Sequence, residues 1–587
     1  MCGIVGARED WLRRAGLDPE AAIAAAVETL RWRGPDGVGQ VVVGGWRIGC
    51  ARLAITQPRS RQPVVRRGGR YACVFNGAVT NARELWRELL PGAERRPAPP
   101  NDAWLPLLAV AAGRRDLLAN LRGHHAYCVV DAVTGSAVIG QDRFGEKPLL
   151  TVLGTASDEP VAFASTAPAL AALGVRTEPT TEFLASWFRF GFAAALPATS
   201  TSGVKLAAAP RSTPTAWQRE LPLAERLQSS VARCLDVTVP AALSLSGGLD
   251  SSCLAASVPN ERRNKTPAYQ FMAAGGDDAE RRSARAVAEH CGLPFRPVDG
   301  GLAVLDALPE LTRLAGAPLG DPSILAVHAV ARAAAADGVR VLLGGEGADE
   351  LFFGYRRYRA LAHLPRLAAL RALAPRWSQR YLARWMRAAT SRSPAAALLA
   401  VTPPGFSAVL SPEIAAHPWW ADAAPPPGAS SALAATTPTS ARDADLDGYL
   451  RWDLLPKADV AAMAAGLESR CPFLEGDFGI APSEQALGKL ALRRAFASQL
   501  PAAPLRLAKR GFALPLDRWF RGDCPWLDIL RERTTLQRPH LRGDRVTDLV
   551  DRHRRGTADL GHAIYLVLAL ELHLRILHPV QHAHHHT

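Results

Sequence analysis

The sequence lacks the features that mark a disulfide-stapled, zinc-bound or membrane-spanning chain. Its 587 residues include nine cysteines, and no two of them form a CxxC pair. This spacing argues against a disulfide framework and a structural zinc site, and it favours a reducing compartment. No run of about 18 apolar residues is free of charge, which predicts no membrane span. The amino terminus has no basic segment followed by an apolar one, so we expect no secretory signal and a cytoplasmic location.

Two further absences concern binding partners. The net charge of +14, with an isoelectric point near 9.7, indicates attraction to anions. No basic run is interleaved with aromatic residues, so we expect small anionic substrates and no nucleic acid. A GxxxxGK[ST] loop is also missing, which argues against a Walker A phosphate site. The sequence does not determine the oligomeric state, and a homodimer stays open.

Two patterns of secondary structure follow one another along the chain. Residues 1–205 contain short apolar strands with glycine-rich turns and a few helical stretches, which predicts an α+β domain. Residues 206–221 fall in a stretch rich in Ser, Thr and Pro that predicts a linker. Residues 222–587 alternate short strands with helices and then become helical, which predicts an α/β parallel-sheet domain with a helical C-terminal part. Residues 417–440 are predicted to form a loop.

The first candidate site begins at Cys2. Removal of the initiator methionine would make Cys2 the first residue, and its α-amine, with an ordinary pKa of about 7.7–8.0, would then be a base for its own thiol. Arg52 opens an apolar strand and is suited to bind a carboxylate. Asn76 and Gly77 place an amide side chain beside a backbone N–H, which is the donor pair of an oxyanion hole. Asp102 offers a carboxylate for a substrate ammonium.

The second candidate site begins at SLSGGLDSS, residues 244–252, which follows an apolar run and opens a predicted helix. Such a turn presents backbone N–H groups to a phosphate. Asp250 would need a Mg²⁺ ion to face that phosphate. The stretch GGEGADE, residues 344–350, carries three carboxylates, which are costly to bury unless they meet a metal or a cation. Lys489 and Arg493 have i, i+4 spacing, which predicts one helical face carrying cations for a leaving pyrophosphate.

The N-terminal motifs MCGIVG, RWRGPDG, RLAI, FNGAVTN, LRGHHAY and DRFGEKPL resemble the glutaminase domain of class II glutamine amidotransferases. The resemblance implies a four-layer αββα N-terminal-nucleophile hydrolase fold, in which Cys2 attacks the carboxamide of glutamine. It also implies that Arg52 binds the substrate carboxylate, that Asn76 and Gly77 form the oxyanion hole, and that Asp102 binds the α-ammonium.

One position departs from that family pattern. Ala78 stands where the family usually has a glutamate that also faces the ammonium. Loss of a charge-assisted hydrogen bond costs about 1.5–3 kcal/mol, or about 10–150-fold in binding. The sequence therefore predicts weakened glutamine affinity.

The motifs SLSGGLDSS, GGEGADELFFGY, DLLPKADVAAMAAGLESRCPFLE and KLALRRAFASQLP resemble, in matching order, those of asparagine synthetases. The resemblance implies that a carboxylate is adenylated with ATP and Mg²⁺, and that pyrophosphate leaves. Ammonia from the first site would then reach the acyl-adenylate through a buried passage and form an amide. Glu346 is implied as the base for the attacking ammonia, and Lys489 as the cation that neutralises pyrophosphate. Asp250 and Asp349 are implied as metal ligands. The implied ATP- and pyrophosphate-binding residues are Leu245, Ser246, Gly247, Gly248, Asp250, Ser251, Met272 and Gly345.

The identity of the acceptor is left open by two substitutions. Ala317 replaces an acidic residue common in the family, and Val460 replaces an arginine. The acceptor is therefore aspartate, or another carboxylate such as a specialised metabolite or a sugar acid. An amine nucleophile, as in lasso-peptide macrolactam and β-lactam synthetases, is a further alternative, but the presence of Cys2 argues against it. A catalytically silent nucleotide-binding scaffold is the last alternative, and the presence of Asp250 and Glu346 argues against it.

Overall fold

The structure is a computed structural model, and it describes twelve stretches of the chain. These are residues 2–56, 60–66, 68–90, 99–154, 159–192, 205–208, 221–274, 278–356, 358–359, 437–475, 487–506 and 514–578. The predicted loop at 417–440 lies outside the described residues except for 437–440, which enter a helix. Most of the helical stretch predicted from residue 355 to that loop also lies outside them.

In the N-terminal half most strands follow one another directly, whereas in the C-terminal half strands alternate with helices until β15. The strands are β1 (Cys2–Arg8), β2 (Gly37–Val43), β3 (Trp46–Arg52), β4 (Val64–Val65), β5 (Tyr71–Val79), β6 (Gly123–Asp131), β7 (Ala137–Gln141), β8 (Leu150–Leu153), β9 (Pro160–Ala164), β10 (Lys205–Ala208), β11 (Ala241–Ser244), β12 (Ala268–Ala273), β13 (Phe295–Gly300), β14 (Val341–Leu343) and β15 (Glu468–Arg470). The helices before β14 are α1 (Glu9–Arg14), α2 (Pro19–Thr29), α3 (Ala82–Leu89), α4 (Trp104–Ala111), α5 (Ala167–Ala172), α6 (Thr181–Phe190), α7 (Leu223–Cys234), α8 (Leu249–Ala256), α9 (Asp278–Cys291), α10 (Leu308–Ala315) and α11 (Ser323–Ala336). Those after it are α12 (Ala348–Leu351), α13 (Pro438–Asp445), α14 (Leu455–Met463), α15 (Leu490–Ala495), α16 (Ala502–Arg506), α17 (Leu516–Arg521), α18 (Arg533–Leu536), α19 (Gly543–Arg554) and α20 (Gly561–Leu577).

Two antiparallel sheets form the N-terminal unit. One has six strands in the order β10-β8-β9-β1-β3-β2, and the other has four in the order β4-β5-β6-β7. Apolar side chains of β1 and β3 pack with those of β5 and β6, so the two sheets share one core. Helices α2 and α5 pack with β1 and β9, and α3 and α4 pack with β5. Cys2, Arg52 and the pair Asn76–Gly77 lie on β1, β3 and β5, close to the shared core, and Asp102 lies just before α4.

The end of the N-terminal unit reaches into the predicted linker. Residues 206–208 belong to β10, which pairs with β8 at the edge of the six-stranded sheet. Residues 209–220 lie outside the described residues. The linker and the domain limits at 205 and 222 therefore stay predictions.

A five-stranded parallel sheet lies at the centre of the C-terminal unit, in the order β13-β12-β11-β14-β15. Strands β11 and β14 are direct neighbours, with Ala241 opposite Val341 and Leu243 opposite Leu343. The carboxyl ends of both strands therefore meet at one edge of the sheet, where open parallel sheets bind ligands. This register brings SGGLDS and GGEGADE together.

A helical layer completes the C-terminal unit. Helix α20 is buried over most of its length and packs with α10, α11, α17 and α19 in one apolar cluster. A helix that is apolar all round belongs in a core. Within the described ranges, none of the helices combines the length and the apolar character that crossing a bilayer requires.

Candidate active sites

The first site lies where β1 and β3 approach β5 of the other sheet. Cys2 opens β1 and is paired directly with Arg52, which ends β3; the prediction that Arg52 opens a strand is wrong. The backbone N–H of Cys2 donates to Oδ1 of Asn76 at 2.8 Å, which ties β1 to β5. Gly77 has a φ of +116°, and a Cβ there would lie 1.9 Å from the carbonyl oxygen of His124. Only glycine fits that position, because a side chain would be strained in conformation and would meet backbone atoms.

The amide of Asn76 has the geometry of an oxyanion donor. Its side chain is fully buried, and Nδ2 has no hydrogen-bond partner among the described residues. A buried donor without a partner costs about 1–3 kcal/mol. A substrate oxygen that accepted from Nδ2 would remove this cost, which is the arrangement that stabilises a developing oxyanion.

The thiol of Cys2 is set up for ionisation. A hydrogen bond with Cys50 lowers the pKa of the Cys2 thiol to about 6, with Arg52 acting in the same direction and burial opposing it. The thiolate, which is the nucleophilic form, is therefore favoured at neutral pH. Gln62 also faces the sulfur, because its Nε2 lies 3.7 Å from Sγ while its Oε1 accepts from the backbone of Phe75 at 2.8 Å. The sequence offered no signal for Gln62.

The predicted glutamine-binding residues line one cavity of about 400 Å³ together with Cys2. Nη2 of Arg52 donates to the hydroxyl of Ser60 at 3.2 Å. Oδ2 of Asp102 accepts from the backbone of Val79 at 2.9 Å. Burial raises the pKa of Asp102 to about 6. Ala78 lines the same cavity and adds no charge to it.

Two residues of this cavity come from the C-terminal unit, and sequence reasoning missed both as site residues. Glu468 and Arg470 lie on β15, and Nε of Arg470 donates to Oε1 of Glu468 at 2.6 Å. Their segment, LESRCPFLE, carried the family resemblance, but nothing local indicated that it reaches the first site.

A buried ion pair joins the two units beside Cys2. Two nitrogens of Arg33 donate to the two carboxylate oxygens of Asp459 on α14, at 2.6 and 3.0 Å, and both side chains are at most 1% exposed. Nε of Arg33 also lies 3.5 Å from the carbonyl oxygen of Cys2. The position of the nucleophile is therefore coupled to the C-terminal unit.

The second site forms at the carboxyl ends of β11 and β14. A Cβ on Gly345 would lie 3.4 Å from the Cβ of Asp250, so the two predicted loops are in contact. Nζ of Lys489 lies 2.5 Å from Oδ2 of Asp250 and 2.7 Å from Oδ1 of Asp349. Burial alone would lower the pKa of Lys489, but the attraction of these two carboxylates outweighs it and raises that pKa. The structure thus brings together three residues that are far apart in the chain.

The turn before α8 is built from its own serines and glycines. The Ser251 hydroxyl accepts from the backbone of Ser246 at 3.2 Å and lies 3.0 Å from the Ser246 hydroxyl. Gly247 has a φ of +82°, and a Cβ there would lie 2.6 Å from the carbonyl oxygen of Glu280. Gly248 is the N-cap of α8, so the first turn of this helix begins directly after the two glycines.

The prediction that Lys489 and Arg493 share one helical face is wrong. Lys489 precedes α15 as its N-cap, in the left-handed region at φ +60°. This conformation turns its ammonium towards Asp250 and Asp349. Arg493 does lie in α15, but its guanidinium donates to backbone carbonyls, including that of Leu505.

Magnesium fits the two carboxylates that Lys489 joins. Mg²⁺ in phosphate sites is bound through one or two carboxylates together with substrate phosphates and water. Asp250 and Asp349 supply two carboxylates at the end of the turn, both within reach of one ammonium nitrogen. In the part of the chain that the structure describes, no cluster of three or more His, Cys, Asp or Glu could hold a metal by itself. The donor set thus matches an ion that arrives with a nucleotide.

The remaining residues predicted for the second site are placed as follows. Glu346 lies in the loop after β14. Burial alone would lower the pKa of Lys457, but the negative charges of Asp321 and Glu346 outweigh it and raise that pKa. Leu245 is fully buried in the core below the turn, and Met272 is nearly buried near the end of β12.

A cavity of about 1020 Å³ is lined by residues of both units. Ala317 and Val460, the two positions that have lost side-chain charge, both line it. So do the apolar side chains of Phe183, Phe192 and Trp452. The two substitutions therefore affect one space.

Known proteins are similar to this chain over both units. Residues 1–217 match the family model described as glutamine amidotransferase domain, and residues 222–575 match the one described as asparagine synthase. A protein of Mycobacterium tuberculosis named putative asparagine synthetase [glutamine-hydrolyzing] is 29% identical over 97% of this chain and 96% of its own length. Asparagine synthetase [glutamine-hydrolyzing] 1 of Bacillus subtilis is 26% identical over 97% of this chain and 95% of its own. A fungal protein of Penicillium rubens named amidase chyE is 27% identical over 57% of this chain and 55% of its own.

Proposed function

The chain belongs to the asparagine synthase family, and from that membership and the geometry of its two sites we propose how its residues divide the reaction. The protein is a ligase that uses glutamine as the nitrogen donor and ATP to form an amide. The observation that carries the division of labour is that the structure forms two separate sets of chemical groups. Cys2, Arg52 and Asp102 line one cavity, and Asp250, Asp349 and Lys489 meet at one sheet edge.

We propose that the N-terminal unit is a four-layer N-terminal-nucleophile hydrolase, supported by its two facing sheets with helices outside. The Cys2 sulfur attacks the carboxamide carbon of glutamine while Arg52 binds the α-carboxylate and Asp102 the α-ammonium. Asn76 Nδ2 and the N–H of Gly77 donate to the resulting oxyanion. Ammonia leaves when the intermediate collapses to a thioester, and water then releases glutamate.

In the C-terminal unit, the acceptor carboxylate attacks the α-phosphorus of ATP, and pyrophosphate leaves. The turn formed by Ser246, Gly247, Gly248 and Ser251 holds the phosphates, with Gly345 packed beside it and Leu245 and Met272 towards the adenine. Lys489 neutralises the leaving pyrophosphate. Asp250 and Asp349 would hold a Mg²⁺ ion, which supplies positive charge to the phosphate oxygens. Ammonia then attacks the acyl carbon, Glu346 accepts a proton from it, and AMP leaves.

Aspartate is the acceptor that the names of the relatives suggest, with asparagine as product. A second candidate is a larger, less charged acid; it rests on the replacement of charged family residues by Ala317 and Val460, while Arg33, Arg451 and Asp453 keep ionisable side chains in the same cavity. A buried site for a zwitterion needs both of its charges countered. This hypothesis predicts slow ATP–pyrophosphate exchange with aspartate compared with a less polar acid. Robust exchange with aspartate, with asparagine as product, would contradict it.

The division of labour is tested with Cys2→Ala. We expect this variant to lose glutamine hydrolysis and to keep ammonia-dependent amide formation, because the second site uses other residues. Chromatography of the nucleotide products should show AMP and not ADP, since the loop is built to hold a leaving pyrophosphate. A folded Cys2→Ala protein without ammonia-dependent synthesis, or ADP as the main product, would refute the proposal.

A further inference from the structure

The N-terminal unit supplies one carboxylate, Asp102, to the glutamine cavity, where the family pattern has two. Glutamine is a zwitterion, so its pocket needs a cation for the α-carboxylate and an anion for the α-ammonium. Arg52 and Asp102 provide one of each. Position 78 lines the same cavity, and its alanine offers no charge.

A carboxylate from the other unit reaches this place. The β5–β6 pairing puts Ala78 directly opposite His124, and side chains of directly opposed residues lie on the same face of the sheet, close together. Nε2 of His124 is 3.0 Å from Oε1 of Glu468. Arg470 donates to the same oxygen at 2.6 Å and to the carbonyl of Cys234 at 2.8 Å. Glu468 is therefore held beside position 78 by contacts on two sides.

Glu468 and Arg470 add one carboxylate and one guanidinium to the cavity, beside Arg52, Asp102 and the Cys2 thiol. Burial alone would raise the pKa of Glu468, but the surrounding positive charge, including Arg470, and the His124 hydrogen bond hold it well below the usual range. The charge of Glu468 also contributes to the raised pKa of Asp102, so the two carboxylates are close enough to interact. Charges of both signs in one cavity suit a zwitterion.

We propose that Glu468, supplied by the C-terminal unit, is the second carboxylate for the α-ammonium of glutamine, in place of the side chain that Ala78 lacks. His124 is the positioning residue that holds Glu468 in place. The inference rests on the proposed glutaminase activity and adds that glutamine binding is completed by the partner unit of the same chain. The sequence predicted weakened glutamine affinity, because Ala78 lacks a carboxylate. Under this proposal Glu468, 390 positions further along the chain, supplies that carboxylate.

The test uses the full chain and two substrates, glutamine and glutaramate, the same molecule without its α-amino group. The rate of ammonia release gives kcat/KM for each substrate. The ratio of kcat/KM for glutamine to kcat/KM for glutaramate isolates recognition of the α-ammonium. Glu468→Gln should lower the ratio about tenfold or more, because a charge-assisted hydrogen bond is lost and the cavity gains net positive charge. The loss should lie mainly in the KM for glutamine. Adding Ala78→Glu to Glu468→Gln should restore most of the ratio.

Glu475→Gln is the matched control. Glu475 is also a buried carboxylate after β15, bonded to Arg233 at 2.8 Å and Ser230 at 3.2 Å, and it does not line the cavity. This control should keep the wild-type ratio. If Glu468→Gln does not fold, His124→Leu is measured instead, with ammonia-dependent synthesis as the marker of an intact C-terminal unit. Loss of the hydrogen bond to Glu468 should then lower the ratio about threefold or more.

Each contrary result has a defined meaning. A ratio that Glu468→Gln leaves unchanged, or that Glu475→Gln lowers equally, would overturn the inference. A tenfold lower KM for glutamine in the single variant Ala78→Glu would also overturn the inference, because it would show that the wild-type cavity lacks a second carboxylate for the ammonium. A wild-type protein that releases no ammonia from glutamine would instead contradict the proposed function.

Discussion

Breaking the buried ion pair between Arg33 and Asp459 should be among the most damaging single changes outside the reacting groups. Asp459→Asn keeps the shape of the side chain but leaves the guanidinium of Arg33 buried without its carboxylate. Both side chains are at most 1% exposed and share two hydrogen bonds, at 2.6 and 3.0 Å. Removing one partner of such a pair costs about 3–5 kcal/mol, because the remaining charge is desolvated and uncompensated.

Chemical denaturation followed by tryptophan fluorescence would measure this loss of unfolding free energy. The pair also adjoins the carbonyl oxygen of Cys2, so glutamine hydrolysis should fall in parallel. A double variant, Arg33→Met with Asp459→Leu, should recover most of the lost stability, since well-packed apolar side chains often replace a buried ion pair without cost. A loss below about 1 kcal/mol for Asp459→Asn, or a double variant as unstable as the single one, would refute the reasoning.

Two further predictions concern the sites themselves. Asp250→Asn removes one of the two carboxylates beside Lys489. ATP–pyrophosphate exchange should fall about 100-fold, because a phosphate-bound metal supplies several kcal/mol of charge stabilisation. If glutamine hydrolysis fell by the same factor, the two sites would not be separate. Burial raises the pKa of Asp102 to about 6, so its carboxylate is present above pH 6 and is lost as the pH falls through that value. The ratio of kcat/KM for glutamine to kcat/KM for glutaramate should therefore fall about tenfold per pH unit below pH 6. The titration of Cys2 affects both substrates equally and cancels in this ratio, whereas only glutamine has an ammonium for Asp102 to bind. A ratio that does not change with pH would exclude Asp102 as the partner of the ammonium.

Much of the fold and of both sites could be predicted from local sequence. Apolar runs predicted the short strands that carry the sites, and β5 and β11 are among them. The glycine-rich turn predicted at residues 244–252 is present, and its Gly247 adopts a positive φ where a side chain would meet backbone atoms. The family-level chemistry followed from the order of the motifs, since residues that act on one substrate occur in short, specific stretches. The roles of the individual site residues and the domain limits stay predictions.

Tertiary structure alone decided which distant residues share a site. The i, i+4 spacing placed Lys489 on a helical face, whereas its left-handed conformation ahead of α15 directs it between Asp250 and Asp349. Gln62 carried no sequence signal, and only folding shows that it faces the Cys2 sulfur. Glu468 belongs by sequence to the C-terminal unit and lines the glutamine cavity of the N-terminal one. Periodicity and motifs report local conformation and chemistry, but contacts between units depend on how buried faces pack and how their charges are paired.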